Sequence, residues 1–304
     1  VSPPLRLLCI GSSGQAARAL AIRGKAHGVE VVLAGRPGTD LLHPDTVTAR
    51  IAELRPDVVV NAAAYTAVDR AESDVEAAFA ANAEGAGAVA AAARRHGLPV
   101  VHLSTDYVFG GALGRPRRED DPIAPLCVYG RSKAEGEQAV AAANPDHAIL
   151  RIAWVYAPFG ANFLMTMLRL AAERTRVRVV HDQVGAPTCA LDVADGVLRV
   201  AANLAGDASA GLRGVFHMAP EGACSWAEFA EAIFAESRAR GGPAAAVERI
   251  GTRDYPTPAV RPADSRLDSG KIAREHRVAL PHWRERVGPA VASRLAEEHG
   301  GHGR

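Results

Sequence analysis

Lysine is nearly missing from this chain. Lys25, Lys133 and Lys271 are the only three among 304 residues, so a lysine at a meaningful spacing carries weight. Surplus charge of either sign is missing too. Lys+Arg 35 against Asp+Glu 34 leave a net +1, which excludes a polybasic grip on nucleic acid and an acidic tail. Cysteine is sparse: Cys9, Cys127, Cys189 and Cys224 form no Cys-x-x-Cys pair and have no histidine at ligand spacing. Neither a zinc site nor a disulfide framework is expected, and no carboxylate cluster suggests another metal. No apolar run reaches the ~18 residues a membrane span needs, since the longest alanine-rich stretch, 77–93, is broken by Asn82 and Glu84. The first apolar run, 5–10, is too short for a secretory core. Neither nucleic acid nor a membrane is an expected partner, and a reducing, cytoplasmic setting fits.

What is present is a chain 48% hydrophobic, enough for a substantial core. Apolar runs of strand length at 5–10, 29–34, 57–61 and 98–104 alternate with helical stretches at 15–27, 44–54 and 75–96. Such alternation predicts right-handed βαβ units and an α/β, doubly wound parallel sheet. Residues 110–127 break the rhythm with glycine, proline and clustered charges and are expected to be a surface loop. A helix at 129–143 and a strand at 147–154 follow, after which the alternation fades. The predicted division is a dinucleotide-binding part, 1–154, and a smaller, mixed α/β substrate part, 155–304, whose segments can interleave with the first. Helices are expected at 163–172 and 191–204, and Ser225-Trp226-Ala227-Glu228 reads as a capping box opening another that runs to Arg238.

Directly after the first strand stands Gly11-Ser12-Ser13-Gly14-Gln15-Ala16-Ala17. A glycine pair at the mouth of a helix offers free backbone N–H groups and the positive end of the helix dipole to a pyrophosphate. A plain tight turn would look the same out of context; the flanking strand and helix favour the dinucleotide site. The second strand ends in Gly35-Arg36, where such folds usually place a carboxylate on the adenosine ribose. A guanidinium there suits the 2′-phosphate of NADPH, with NADH left open because Asp40 lies four residues on.

Tyr129 and Lys133 stand four apart and so share one face of a helix. Tyrosine ordinarily holds its proton to pH ~10, and a neighbouring ammonium favours the phenolate. Lys133 is therefore expected to tune Tyr129 as the general acid that protonates a carbonyl oxygen while hydride reaches its carbon. The strand Val100-Val101-His102-Leu103 ends in Ser104-Thr105-Asp106-Tyr107, at the edge where open parallel sheets bind ligands. Thr105 can hydrogen-bond the same carbonyl.

These residues resemble the extended short-chain dehydrogenases/reductases and, within them, the dTDP-4-dehydrorhamnose reductases. The likeness includes Val60-Asn61-Ala62-Ala63-Ala64, Thr66-Ala67-Val68-Asp69, Ser104-Thr105-Asp106-Tyr107-Val108-Phe109 and Val128-Tyr129-Gly130. It continues through Trp154-Val155-Tyr156, Gly185-Ala186-Pro187-Thr188, Tyr255-Pro256-Thr257-Pro258 and Ser265-Arg266-Leu267. The resemblance implies a Rossmann fold and reduction of the 4-keto group of dTDP-4-dehydro-6-deoxy-L-mannose to dTDP-L-rhamnose. It implies Thr105, Tyr129 and Lys133 as the catalytic set, with Thr105, Asp106 and Trp154 on the sugar. Gly14, Gln15, Ala16, Asp40, Leu41, Ala64, Tyr65, Thr66 and Leu103 would line the dinucleotide beside Gly11, Arg36, Tyr129 and Lys133. The substrate partner would be a dTDP-linked 4-keto-6-deoxysugar, and a homodimer is left open. The chain departs from the family pattern at Ala17, a frequent glycine, at Gly35-Arg36, and at Tyr65, often histidine.

Related sugar dehydratases carry an Asp-Glu pair after the threonine, whereas Asp106 is followed here by Tyr107, so elimination lacks its second carboxylate. Two alternatives remain: a 4-ketoreductase for another dTDP-6-deoxysugar of a specialised pathway, and a non-catalytic dinucleotide-binding regulatory subunit. An aromatic closing a strand, such as Trp154, is by itself more often core than ligand.

Overall fold

The structure is a computed structural model that describes residues 3–111 and 113–301. Five parallel strands, β1 (Leu5–Ile10), β2 (Val29–Ala34), β3 (Val58–Asn61), β4 (Val100–Thr105) and β5 (His147–Ile152), run in the order β5-β4-β3-β1-β2. A sixth, Gly214–His217, pairs in parallel with β5 at the far edge. Strand period two sorts the apolar residues onto opposite faces. Leu7, Cys9, Val58, Val60, Val101 and Leu150 pack into one core layer, and Leu8, Ile10, Val59, Val100 and Ile149 into the other.

The first layer is closed by helices Gln15–Gly24 and Ala190–Gly206, which share Ala17, Ala19, Leu20, Val193, Val197 and Ala201. The second is closed by Pro44–Leu54, Gly85–Arg95 and Val128–Ala143. Their alanine and glycine content lets backbones approach: a Cβ on Gly87 would stand 3.0 Å from the Ala139 methyl. Residues 163–301 build a second core from helices Phe163–Glu173, Trp226–Arg238 and Trp283–Gly301 and the parallel pair Arg176–Val180 and Ala246–Ile250. Phe229, Phe234, Trp283 and Leu164 are buried there, each side chain contributing about 1.5–3 kcal/mol by area. The capping box forms as expected, with Glu228 N–H donating to Ser225 Oγ at 3.2 Å and Ser225 N–H to Glu228 Oε2 at 2.7 Å.

Three departures from the sequence expectations bear on the site. Residues 75–96 form not one helix but Val75–Phe79, a wide π-helical turn at Ala80–Glu84, and Gly85–Arg95. The strand expected to reach Trp154 stops at Ile152, because Trp154 turns the chain with φ +49°. Finally, Gly214–His217, too short to stand out as a run, returns from the second half to complete the sheet.

Candidate active site

Strand order reverses between β2-β1 and β1-β3, which opens a crevice at the carboxyl ends of β1 and β3. Gly11 holds φ +118° there, and a Cβ would press on the Ala62 and Ala63 backbone at 3.2 Å. Gly14 precedes helix Gln15–Gly24 with no side-chain cap, and a Cβ on it would meet nothing within 4 Å. The free N–H groups of that first turn thus face open space, the arrangement a pyrophosphate needs. Gln15 Nε2 donates to Val155 O at 3.4 Å while its Oε1 is buried with no partner among the described residues. Gly35 abuts the Ser12 hydroxyl, and Arg36 stands exposed just beyond β2. Asp40 Oδ1 accepts the Leu42 N–H at 3.1 Å, and Leu41 is buried against Gly85.

The segment with Ala64, Tyr65 and Thr66 is fixed by a residue the sequence reading left out. Asn82, buried in the π-helical turn, accepts the Tyr65 N–H at 2.8 Å and donates to Tyr65 O and to Ser132 Oγ, both at 3.0 Å. It thereby joins the crevice loop to the helix carrying Tyr129. An asparagine inside an alanine run was the available signal. Tyr65 O–H donates to Asp74 Oδ2 at 3.0 Å, and Tyr65 and Tyr129 pack on the same cluster of Ala71, Ala78 and Val128.

Tyr129 lies in the first turn of helix Val128–Ala143, seated by Val128 N–H on Glu72 Oε1 at 2.7 Å and by Gly130 N–H on Cys127 Sγ at 3.4 Å. Gly130 lets that turn approach the Thr105 loop, for any Cβ would strike Tyr107 O. The phenol lies beside the Thr105 hydroxyl, which donates to Asp106 Oδ1 at 3.1 Å. Burial holds the Tyr129 phenol above the usual tyrosine range, against the pull of Thr105. One turn on, Lys133 is buried and donates to Leu103 O at 2.7 Å and to His102 Nε2 at 3.1 Å. The Tyr-x-x-x-Lys spacing predicts that Lys133 lowers the phenol, but the ammonium is drawn to the end of β4, where a buried charge finds acceptors. Burial brings Lys133 down to about 8 and holds His102 well below the usual histidine value, so the imidazole is neutral. His102 Nδ1 in turn meets Asn61 Nδ2 at 3.2 Å, and Asn61 Oδ1 accepts the Ala63 N–H at 3.2 Å.

Asp106 Oδ2 is buried with no partner among the described residues; burial, opposed by hydrogen bonds from Ser265 and Thr105, raises the carboxyl to about 6. Ser265 thus reaches the site from the second half. Beneath it, Glu137 and Arg151 form a buried, two-pronged pair at 2.9 and 2.7 Å, with Ser104 O–H on Glu137 Oε1. Arg151 Nη1 meets His217 Nε2 at 3.3 Å and His217 Nδ1 meets Arg117 O at 3.0 Å, linking the sixth strand to residues 110–121. Trp154 lies half-buried near this end of the sheet, stacked on Trp226.

The structure therefore gathers Thr105, Asp106, Tyr129 and Lys133 at the carboxyl edge of β4, beside the crevice formed by Gly11, Gly14 and Ala62–Ala63. Comparison with known proteins adds the family. The profile described as RmlD substrate binding domain matches residues 5–295. The dTDP-4-dehydrorhamnose reductase of Sinorhizobium fredii is 46% identical over 293 residues, covering 96% of this chain and 99% of that protein. The chain belongs to the dTDP-4-dehydrorhamnose reductase family. Two solved members share its fold. The Clostridium acetobutylicum reductase has a TM-score of 0.87 at 35% identity, covering 95% of this chain and 99% of that one. The Bacillus anthracis reductase, solved in complex with NADP, has a TM-score of 0.87 at 30% identity, covering 97% and 99%.

Proposed function

We propose that the chain reduces the 4-keto group of dTDP-4-dehydro-6-deoxy-L-mannose, giving dTDP-L-rhamnose at the expense of NADPH. The observation that carries this reading is the gathering of the Tyr129 phenol, the Thr105 hydroxyl and the Lys133 ammonium at the end of β4, within a chain of this family. Gly11, Gly14, Gln15, Ala16, Ala64, Tyr65, Thr66, Leu103, Tyr129 and Lys133 would hold the dinucleotide, with the uncapped helix start taking its pyrophosphate, and its reduced nicotinamide would supply the hydride. Arg36 would take the adenosine 2′-phosphate, and Asp40 and Leu41 would meet the adenosine.

Tyr129 keeps its proton at neutral pH because burial disfavours the phenolate, and it releases that proton to the substrate's carbonyl oxygen as negative charge grows there. Thr105 donates a second hydrogen bond to the same oxygen. Lys133, charged at pH 7, holds a positive potential at the end of β4 that favours both charge-bearing states. Asp106 and Trp154 orient the sugar. Residues 1–154 hold the dinucleotide and 155–304 the sugar nucleotide, with the segment that includes Ala190–Gly206 and Gly214–His217 lent to the sheet. The reaction takes place in the cytoplasm, and light scattering decides between a monomer and a homodimer.

Incubation with dTDP-4-keto-6-deoxyglucose, with and without a 3,5-epimerase, tests the reading by the loss of NADPH absorbance and identification of the sugar. Rhamnose formation that requires the epimerase is expected; turnover without it assigns another 4-ketosugar. Tyr129→Phe is expected to leave NADPH binding intact and to cut kcat by about 10²-fold or more, as loss of a general acid does.

A further inference from the structure

The chain has only three tryptophans, and two of them, Trp154 and Trp226, lie face to face with ring centroids 3.6 Å apart and planes 11° from parallel. Trp154 has a backbone that glycine would ordinarily supply: φ is +49°, in the left-handed region that a bulky side chain occupies only when its surroundings impose it. Those surroundings are visible. Trp154 O accepts the Thr188 N–H at 3.1 Å, and the next two residues pair in parallel with Thr188 and Cys189. Gly185 and Trp226 are brought to the indole together, because Val184–Gly185 pairs antiparallel with Cys224–Ser225, immediately before Trp226. Gly185 has no positive φ, so its backbone does not require glycine. Its space does: a Cβ there would stand 2.5 Å from Trp154 Cε2 and 2.8 Å from Cζ2. Trp226 is rooted in turn, opening a helix fixed by its capping box and packing on Phe163 at 4.6 Å, which stacks on Phe229 at 5.4 Å.

We propose that Trp226 is a positioning residue for recognition of the sugar nucleotide, holding the Trp154 indole in one orientation, and that Gly185 is glycine to leave that indole room. The inference rests on the reading that Trp154 meets the sugar. With Trp226 stacked on one face and Gly185 against the benzo ring, Trp154 offers a saccharide its edge, and only in the orientation it holds, so ordering the ring beforehand removes an entropy cost from binding. The backbone strain at Trp154 is then maintained by the second core, through Phe229, Phe163 and Trp226, rather than by the ligand.

A stacked indole pair gives an exciton couplet in the far-ultraviolet circular dichroism, which reports the stack independently of activity. Trp226→Ala is expected to abolish the couplet and raise KM for the dTDP-ketosugar about tenfold, with KM for NADPH nearly unchanged. Trp226→Phe is expected to lose the couplet but recover most of the KM, since a flat ring still supports Trp154. Gly185→Ala retains both tryptophans and serves if Trp226→Ala fails to fold; displacement of the indole predicts a weakened couplet and the same one-sided rise in KM. A lost couplet with unchanged sugar-nucleotide KM in Trp226→Ala, or an unaltered KM in a folded Gly185→Ala variant, overturns the proposal. Trp154→Ala separates the two readings: if it too leaves that KM unchanged, the contact between Trp154 and the sugar is wrong and the positioning role falls with it.

Discussion

Asp106 carries a buried carboxylate oxygen without a partner among the described residues, a cost to the fold that a sugar hydroxyl would relieve. Its folded value, about 6, lies above the ordinary 3.8, so between those values the folded chain keeps a proton that the unfolded chain has released. Stability from this group is therefore full below 3.8 and lost as pH rises through about 6. Asp106→Asn removes that slope. The variant is expected to be more stable than the parent at pH 7.5 by up to about 3 kcal/mol and to bind the sugar nucleotide more weakly; urea titrations at pH 5 and 7.5 with substrate titrations check both. Arg36 is a second residue whose role can be isolated, because it is exposed and braces nothing in the core. Arg36→Asp is expected to lower kcat/KM for NADPH relative to NADH by about tenfold or more, as loss of a charge-assisted phosphate contact should.

Among the elements, helix Val128–Ala143 carries both Tyr129 and Lys133, and its placement depends on contacts made one and two turns beyond Tyr129. Lys133 fastens it to β4, Asn82 to the crevice loop, and Glu137 to Arg151 of β5. Glu137 and Arg151 are only 4% and 2% exposed, so removing one leaves the other as an unpaired buried charge. Glu137→Ala is expected to cost about 3–5 kcal/mol in chemical denaturation, whereas a Glu137→Met, Arg151→Met double variant should cost much less. Parity between the single and double variants would show that the pair is not what seats the helix. The placement of the candidate residues was legible in the sequence because it obeys local rules: a Tyr-x-x-x-Lys spacing on this helix, a hydroxyl at the end of β4, a glycine pair before helix Gln15–Gly24. The bracing was not. Asn61, His102, Ser104 and Arg151 are polar residues in apolar settings, and only the register of β3, β4 and β5 sets Asn61 beside His102 and Ser104 beside Arg151. The same limit explains the π-helical turn, which exists to aim Asn82 and leaves no periodicity of its own. Trp154 read as the end of a strand for a related reason, since nothing in its composition announces a left-handed residue.

Across the whole molecule, the first and second parts of the chain meet at several side-chain contacts, and Asp69 with Arg261 is one of them. The guanidinium grips both carboxylate oxygens, at 3.0 and 2.8 Å, and the Ala259 N–H adds a third bond at 3.3 Å. This pair ties the proline-rich segment 255–262 to the short helix Val68–Ala71. Asp69 is 41% exposed, so solvent screens the attraction, and Asp69→Asn should change global stability by less than about 1 kcal/mol. A local effect is expected instead: faster proteolytic cutting within 252–262 and a higher KM for the sugar nucleotide, read by limited proteolysis and steady-state kinetics. An unchanged cutting rate would assign the segment's order to its own prolines.

The strand Gly214–His217 reaches the sheet some sixty residues after β5. During synthesis, His147–Ile152 must therefore wait as a bare hydrogen-bonding edge until those later residues leave the ribosome. A gene cut at the apparent 154/155 border would make that interval permanent, so the two parts are one unit of inheritance.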